Sequence, residues 1–219
     1  MADAPPPSKP TRWAGIPADE RTRDRRALLI SAAFELFGAD GDTATSVRAV
    51  CRNADLNARY FYESFIDRDE LLGALYDEIA AVLADLLGTA LLEAPDDPTA
   101  RTRAGIETVL RFITQDPRRA RVLFTEGRAN PVLAERRRIA RQALVEGTAA
   151  MGHDELARRD GDRPSTARTA EVAATLFGGA MEMLAEAWTD GRLGDDLDGV
   201  IDDATNLSMA IFERAATRP

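Results

Sequence analysis

Between Thr45 and Phe65 the chain runs TSVRAVCRNADLNARYFYESF, a short span crowded with side chains that can hold an anion or a base edge. Arg48 and Arg59 carry planar guanidinium forks that match guanine O6 and N7. Asn57 and Tyr60 are further candidates for base edges. Thr45, Ser46, Tyr62, Ser64 and Arg68 offer hydroxyl or charged donors of the kind that grip phosphate oxygens and set register. The chemistry this points to is recognition of double-stranded DNA by contact.

The apolar residues of the same span say how those groups are held. Thr45 or Ser46 supplies an N-cap oxygen, after which Val47, Val50 and Cys51 recur on one helical face. Asp55 breaks the pattern, because its side chain competes for local hydrogen bonds and tolerates turn geometry. Leu56 pins the turn, and Asn57 caps a second helix that buries Phe61 and Phe65, one turn apart. Two short helices joined by a tight turn make a helix-turn-helix, whose second helix enters a major groove.

These residues resemble the TetR family of transcriptional regulators. The family pattern is a small polar cap, a few variable residues, an aliphatic-Tyr-x-x-Phe run and then a basic residue. Here it is Asn57-Ala58-Arg59-Tyr60-Phe61-Tyr62-Glu63-Ser64-Phe65, followed by Asp67-Arg68-Asp69-Glu70-Leu71-Leu72. Phe61 stands in place of the usual Leu or Ile, and Arg68 in place of Lys. The resemblance covers Arg25 to about Tyr76. It implies an all-α protein of about nine helices, with an N-terminal three-helix DNA-binding domain and a C-terminal helical ligand-binding and dimerisation domain. It also makes a phosphate contact from the Arg21, Arg23, Arg25 and Arg26 end of the first helix an expectation.

Composition agrees with an all-α chain. Of 219 residues, 45% are hydrophobic, Ala, Leu, Arg and Glu dominate, and alternating β-branched runs are nearly absent. Cys51 is the single cysteine, so no intramolecular disulfide forms, and its apolar face predicts a core position. A metal cluster or nucleophilic triad would have to rest on His153 alone, the one histidine. Neither an enzyme nor a cofactor is expected. No apolar run is long enough to cross a membrane, and a cytoplasmic protein is expected. The net charge of −9 at first argues against DNA. By segment, however, Asp19 to Arg68 holds eight Arg against nine acids, so the excess negative charge lies elsewhere. A local positive face is enough for a helix-turn-helix.

Along the chain, residues 1–18 are Pro-rich and predict a disordered arm, from which Arg12 and Trp13 are candidate DNA contacts. Residues 19–68 form the expected DNA-binding domain and residues 69–219 the effector and dimerisation domain. The first helix is expected over Arg21 to Phe37, ended by Gly38 to Asp42. Asp67-x-x-Glu70 opens a fourth helix to about Gly88. Asp97-Pro98, Asp116-Pro117 and Asn130-Pro131 each set a capping side chain before a proline at the first helical position. The later helices are then Thr99 to Gln115, Arg118 to Glu126, Val132 to about Gly152, Thr166 to Asp190, and from Asp195 or Asp196 to about Ala216.

In TetR-like proteins the last two helices meet those of a second copy in a four-helix bundle. The resemblance therefore implies a homodimer, and the apolar faces here offer Gly178, Leu184, Trp188, Ile201, Leu207 and Phe212. The body is expected to hold a small-molecule effector among Leu83, Leu86, Val109, Phe112, Ile113, Phe124, Phe177 and Met181, with Leu123, Leu144 and Leu176 nearby. Glu182 or Glu186 facing such a pocket would suit a cationic ligand. The expected function is a regulator, a repressor in the first instance, that binds a palindromic operator as a dimer and is released by an effector. The alternative is a helical interaction or ligand-binding protein whose helix-turn-helix does not engage DNA.

Overall fold

The computed structural model describes residues 17–125, 130–160 and 164–216, so Arg12 and Trp13 lie outside the described residues. Among these, nine α-helices and no strands are found. They are α1 (Ala18–Asp40), α2 (Val47–Asn53), α3 (Ala58–Ser64), α4 (Arg68–Glu93), α5 (Pro98–Gln115), α6 (Pro117–Ala120), α7 (Pro131–Asp160), α8 (Pro164–Thr189) and α9 (Leu197–Ala216).

The starts follow local hydrogen bonding. Ser46, Asn57, Asp67, Asp97 and Asp116 each cap a helix with a side-chain oxygen. Asn130 Oδ1 does the same for Val132 N and Leu133 N at 3.0 and 3.2 Å, and Asp196 Oδ1 accepts from Gly199 N at 3.0 Å. At α4 the bonding is reciprocal: Asp67 Oδ1 accepts from Glu70 N at 2.8 Å, while Glu70 Oε2 accepts from Ile66 N at 2.6 Å.

The ends depart from expectation. Helix α1 passes through Gly38 and stops only at Gly41, whose φ of 78° suits a residue without a Cβ. Gly38 is a point of close approach: a Cβ there would lie 2.5 Å from Arg118 Cβ. Arg118 lies across this surface with its guanidinium 4.6 Å from the centre of the Phe34 ring, and Asp116 Oδ1 and Oδ2 hold it at 2.9 and 2.8 Å. That pairing keeps the Asp116 carboxyl below its usual range. Arg121 adds a bond from Nη1 to Gly38 O at 2.8 Å and another to Ala39 O. Helix α6 is only four residues and continues as a π-helical turn, Arg121–Thr125. Helices α4 and α7 likewise run past Gly88 and Gly152, because each glycine sits inside a helix that its neighbours already hold.

One core joins head and body. Leu29, Ala33, Phe37, Val50, Phe61 and Phe65 are continuous with Leu71, Leu72 and Leu75 of α4, and these with Ile106, Leu110 and Ile113 of α5. Cys51 is part of this core, and burial pushes its thiol pKa up.

The expected effector lining is packed in this conformation. Leu83, Phe112, Ile113, Leu123 and Met181 are buried core, Val109, Phe124 and Phe177 pack against it, and Leu86, Leu144 and Leu176 are exposed. Two open hollows on the surface of the described residues include none of them. The first, about 310 Å³, is an open groove lined by Arg26, Ile30, Glu70, Ala74, Asp77, Glu78 and Arg136.

Most residues expected at the interface are packed within the single chain. Gly178 is turned to the chain's own α7, where a Cβ would stand 3.2 Å from Val145. With Ala170 and Ala174 it makes a small-residue stripe that lets α7 and α8 lie close. Ile201 is fully buried, Leu184 and Trp188 pack on the core, and Trp188 Nε1 donates to Thr114 Oγ1 at 2.8 Å. Phe212 is half-buried near Gly152. Of the six, only Leu207 is largely exposed, at 67%. The large apolar side chains left exposed on the last two helices are Val172, Leu176 and Met183 on α8 and Leu207 and Ile211 on α9.

Candidate nucleic-acid interface

Helices α2 and α3 are seven residues each, too short to persist alone, so their neighbours must hold them. Asp55 makes the turn between them with a φ of 53°, the left-handed conformation its side chain tolerates. Phe61 is fully buried, edge-on to Tyr62 at 5.3 Å and tilted against Phe65 at 5.8 Å.

Helix α1 fastens the outer side of α3. The Arg25 guanidinium stacks on Tyr60 at 4.3 Å and bonds Glu63 Oε2 at 3.2 Å. Arg26 stacks on Phe65 at 4.2 Å and donates to Ser64 O at 3.1 Å. Two of the four arginines expected near phosphate are thus fasteners of the second helix of the motif. Arg23 pairs with Asp19 across one exposed turn.

The structure sorts the nine sequence-derived contact residues. Ser46, Arg48, Asn57, Arg59 and Tyr62 are exposed on the α2–α3 side, and Tyr60 is half-buried under Arg25. Ser64 Oγ donates back to Tyr60 O at 3.1 Å, so its proton is directed into its own helix. Asn57 and Ser46 also serve as caps, accepting from Tyr60 N at 3.3 Å and Ala49 N at 3.2 Å.

Thr45 and Arg68 belong to the frame. Thr45 is fully buried, and its hydroxyl donates to Gly41 O at 3.0 Å. A phosphate cannot reach it there. Arg68 Nε donates to Thr45 O at 2.6 Å and Nη2 to Asp42 Oδ1 at 2.6 Å, with a further bond to Asp42 O. Its fork therefore ties the 3-10 turn Asp42–Ala44 to the start of α4. A basic residue at this spacing looks the same in sequence whether it meets a phosphate or a carbonyl.

Arg68→Ala is expected to lower unfolding stability by roughly 1.5–3 kcal/mol, the scale of hydrogen bonds to a charged group. Urea unfolding of variant and parent measures it. An unchanged midpoint would show that this strut carries no weight.

Two residues escaped the sequence reading. Arg52 is exposed one turn beyond Arg48 on α2, extending the positive face. Glu63 sits one turn beyond Arg59 and accepts from Arg59 Nε at 3.0 Å. The i, i+4 spacing from each named arginine was the available signal.

Residues 29–75 match the model of the bacterial regulatory proteins of the tetR family. Solved structures share the fold over nearly the whole chain. A regulator from Pseudomonas aeruginosa PAO1 aligns with a TM-score of 0.73 at 17% identity, covering 94% of each chain. The fatty acid degradation regulator FadR from Bacillus halodurans gives 0.69 at 16% identity, covering 84% of this chain and 94% of that one. A transcriptional regulator from Rhodococcus sp. RHA1 gives 0.69 at 21% identity, covering 89% and 99%. At these identities the structures establish the fold, while the head carries the family's own sequence pattern. The head, residues 29–75, thus matches the tetR family of bacterial regulatory proteins, and the described chain as a whole shares the fold of these solved structures.

Proposed function

We propose that this protein is a dimeric, ligand-responsive transcriptional repressor that binds a palindromic operator through α2 and α3. The division follows the chain: residues 19–68 engage DNA, and residues 69–219 pair the protomers and receive the effector. The observation that carries the reading is the exposed α2–α3 face. Ser46, Arg48, Arg52, Asn57, Arg59 and Tyr62 stand out on two helices that the Phe61–Phe65 core and the Arg25 and Arg26 stacks hold rigid. Donors on rigid elements lose little freedom on binding. Two such heads would enter successive major grooves, about 34–36 Å apart in the common helix-turn-helix arrangement.

The second protomer covers the α8–α9 face described above. Release by an effector requires a body state that the ligand prefers and in which the heads are misplaced. Leu83, Phe112 and Met181 are buried in this conformation, and the ligand is received beside them. Polar groups lie in the same body: Glu186 and Arg137 are buried, and Glu182 meets Arg141 at 3.5 Å. Burial pushes the nearby Tyr76 hydroxyl up to about 12, so it stays a neutral donor at neutral pH.

Selection from random duplex DNA at moderate salt tests the reading, with an enriched palindrome as the expected result. On that site, Arg48→Ala should lose about 1–3 kcal/mol of discrimination at one base pair per half-site. Equal losses on the enriched and a scrambled duplex would remove Arg48 from the base-contacting set. A protein that binds no duplex at low salt would favour an interaction role, for which the charge-balanced head is the relevant observation.

A further inference from the structure

Glu63 is out of place on a surface meant for a polyanion. It sits on α3 among the exposed donors, and nothing in the packing requires it. Phe61, Phe65, the Arg25–Tyr60 stack and the Arg26 bond to Ser64 O already join α3 to α1. Its carboxylate is divided between two guanidinium groups. Oε2 accepts from Arg25 Nη1 at 3.2 Å and Oε1 from Arg59 Nε at 3.0 Å.

The two arginines differ. The Arg25 side chain is 13% exposed, and its guanidinium is held twice more, by its stack on Tyr60 and by a bond from Nε to Arg21 O at 3.0 Å. The Arg59 side chain is 83% exposed. Among the described residues only its Nε is engaged, so both terminal nitrogens remain available. The order is a fixed cation, a bridging carboxylate and a projecting fork.

We propose that Glu63 is a specificity-determining positioning residue. It pins Arg59 for one base and penalises duplexes that do not supply that base. The proposal rests on the DNA-binding role above. An exposed ion pair of this kind is weak by itself, but a third, buried partner fixes its geometry. An Arg already oriented surrenders less side-chain freedom when its terminal nitrogens meet guanine. The carboxylate offsets positive charge that would otherwise attract the phosphates, and it weakens every register equally. Only the register that gives Arg59 its guanine recovers the loss. Attraction to the right partner and repulsion of the rest together make specificity.

The test uses the full-length protein and the duplex that the wild type enriches. Affinities are measured for that site, a scrambled duplex and single base-pair variants, with wild type, Arg59→Ala, Glu63→Gln, Glu63→Asp and the Arg59→Ala/Glu63→Gln double variant. Arg59→Ala identifies the base pair that Arg59 contacts. Glu63→Gln should bind the scrambled duplex several-fold more tightly and lose about tenfold in preference at that base pair alone. In the double variant the loss at that position should equal that of Arg59→Ala. Glu63→Asp keeps the charge but shortens the reach. It should lose the same preference without the rise in scrambled binding.

An even loss across all base pairs would reduce Glu63 to a structural role and overturn the proposal. So would independent, multiplying effects of the two substitutions at the Arg59 base pair, or a Glu63→Asp variant that behaves as wild type. If the wild type enriches no site at all, the DNA-binding role itself falls, a result distinct from a wild-type site that Glu63 variants read unchanged.

Discussion

Leu176→Asp combined with Leu207→Asp is expected to leave a folded monomer whose affinity for the palindromic site is lower by about 10²–10⁴-fold. Both side chains are more than half exposed in the single chain, at 58% and 67%, so the protomer's own core does not need them. In the proposed dimer they lie on the face that α8 and α9 present to the second copy. A stable dimer needs roughly 800 Å² buried on each partner, and a carboxylate inside it would be desolvated without a counter-charge. Loss of the dimer turns the second half-site from an intramolecular event into a bimolecular one. That change alone accounts for the 10²–10⁴-fold scale. Sedimentation reads the assembly state, circular dichroism the helicity, and titration of whole and half operators the affinity. Half-site affinity should not change. A double variant that remains dimeric would place the interface on another face.

Phe61→Ala is expected to lower the stability of the head by about 3–5 kcal/mol and to abolish specific binding. The ring is fully buried, and its contacts with Tyr62 and Phe65 join α3 to the core shared with α1 and α4. The seven-residue α3 is too short to persist without its packing, of which Phe61 is the most deeply buried part. Phe61→Leu, closer in volume and the residue usual in the family, should cost no more than about 1.5 kcal/mol and retain binding. The contrast separates loss of the side chain from change of the side chain. Urea unfolding followed by helicity, paired with operator titration, measures both. Retained wild-type affinity in Phe61→Ala would mean that α3 is not fixed by this core.

The sequence by itself determined where most helices begin. Asn57, Asp67, Asp97, Asp116 and Asn130 were each legible as caps, and Ser46 and Asp196 as one of two adjacent candidates, because a cap is a bond between atoms two or three residues apart. Helix α1, which has no side-chain cap, begins at Ala18 and not at the expected Arg21. The Val50, Phe61 and Phe65 core of the motif was legible too, since helical spacing and apolar type suffice to predict it. Helix ends were less so. Gly38, Gly88 and Gly152 looked like stops, yet a glycine is tolerated mid-helix when packing supports the turns around it, and Gly38 makes room for Arg118.

Only the tertiary structure decided which partner each versatile group takes. Arg68 went to the Asp42 and Thr45 carbonyls, Thr45 into the interior, and Arg25 and Arg26 onto the rings of Tyr60 and Phe65. An arginine fork satisfies a carbonyl, a carboxylate, an aromatic face or a phosphate equally well in type, so distance alone chooses among them. The same holds for α8, which is apolar on two sides. One stripe, with Gly178 and Ala174, faces its own α7, and the other, with Leu176 and Met183, is exposed in the single chain. Hydrophobic attraction has no direction. Periodicity therefore reveals an apolar stripe, and only the packed neighbours reveal what covers it.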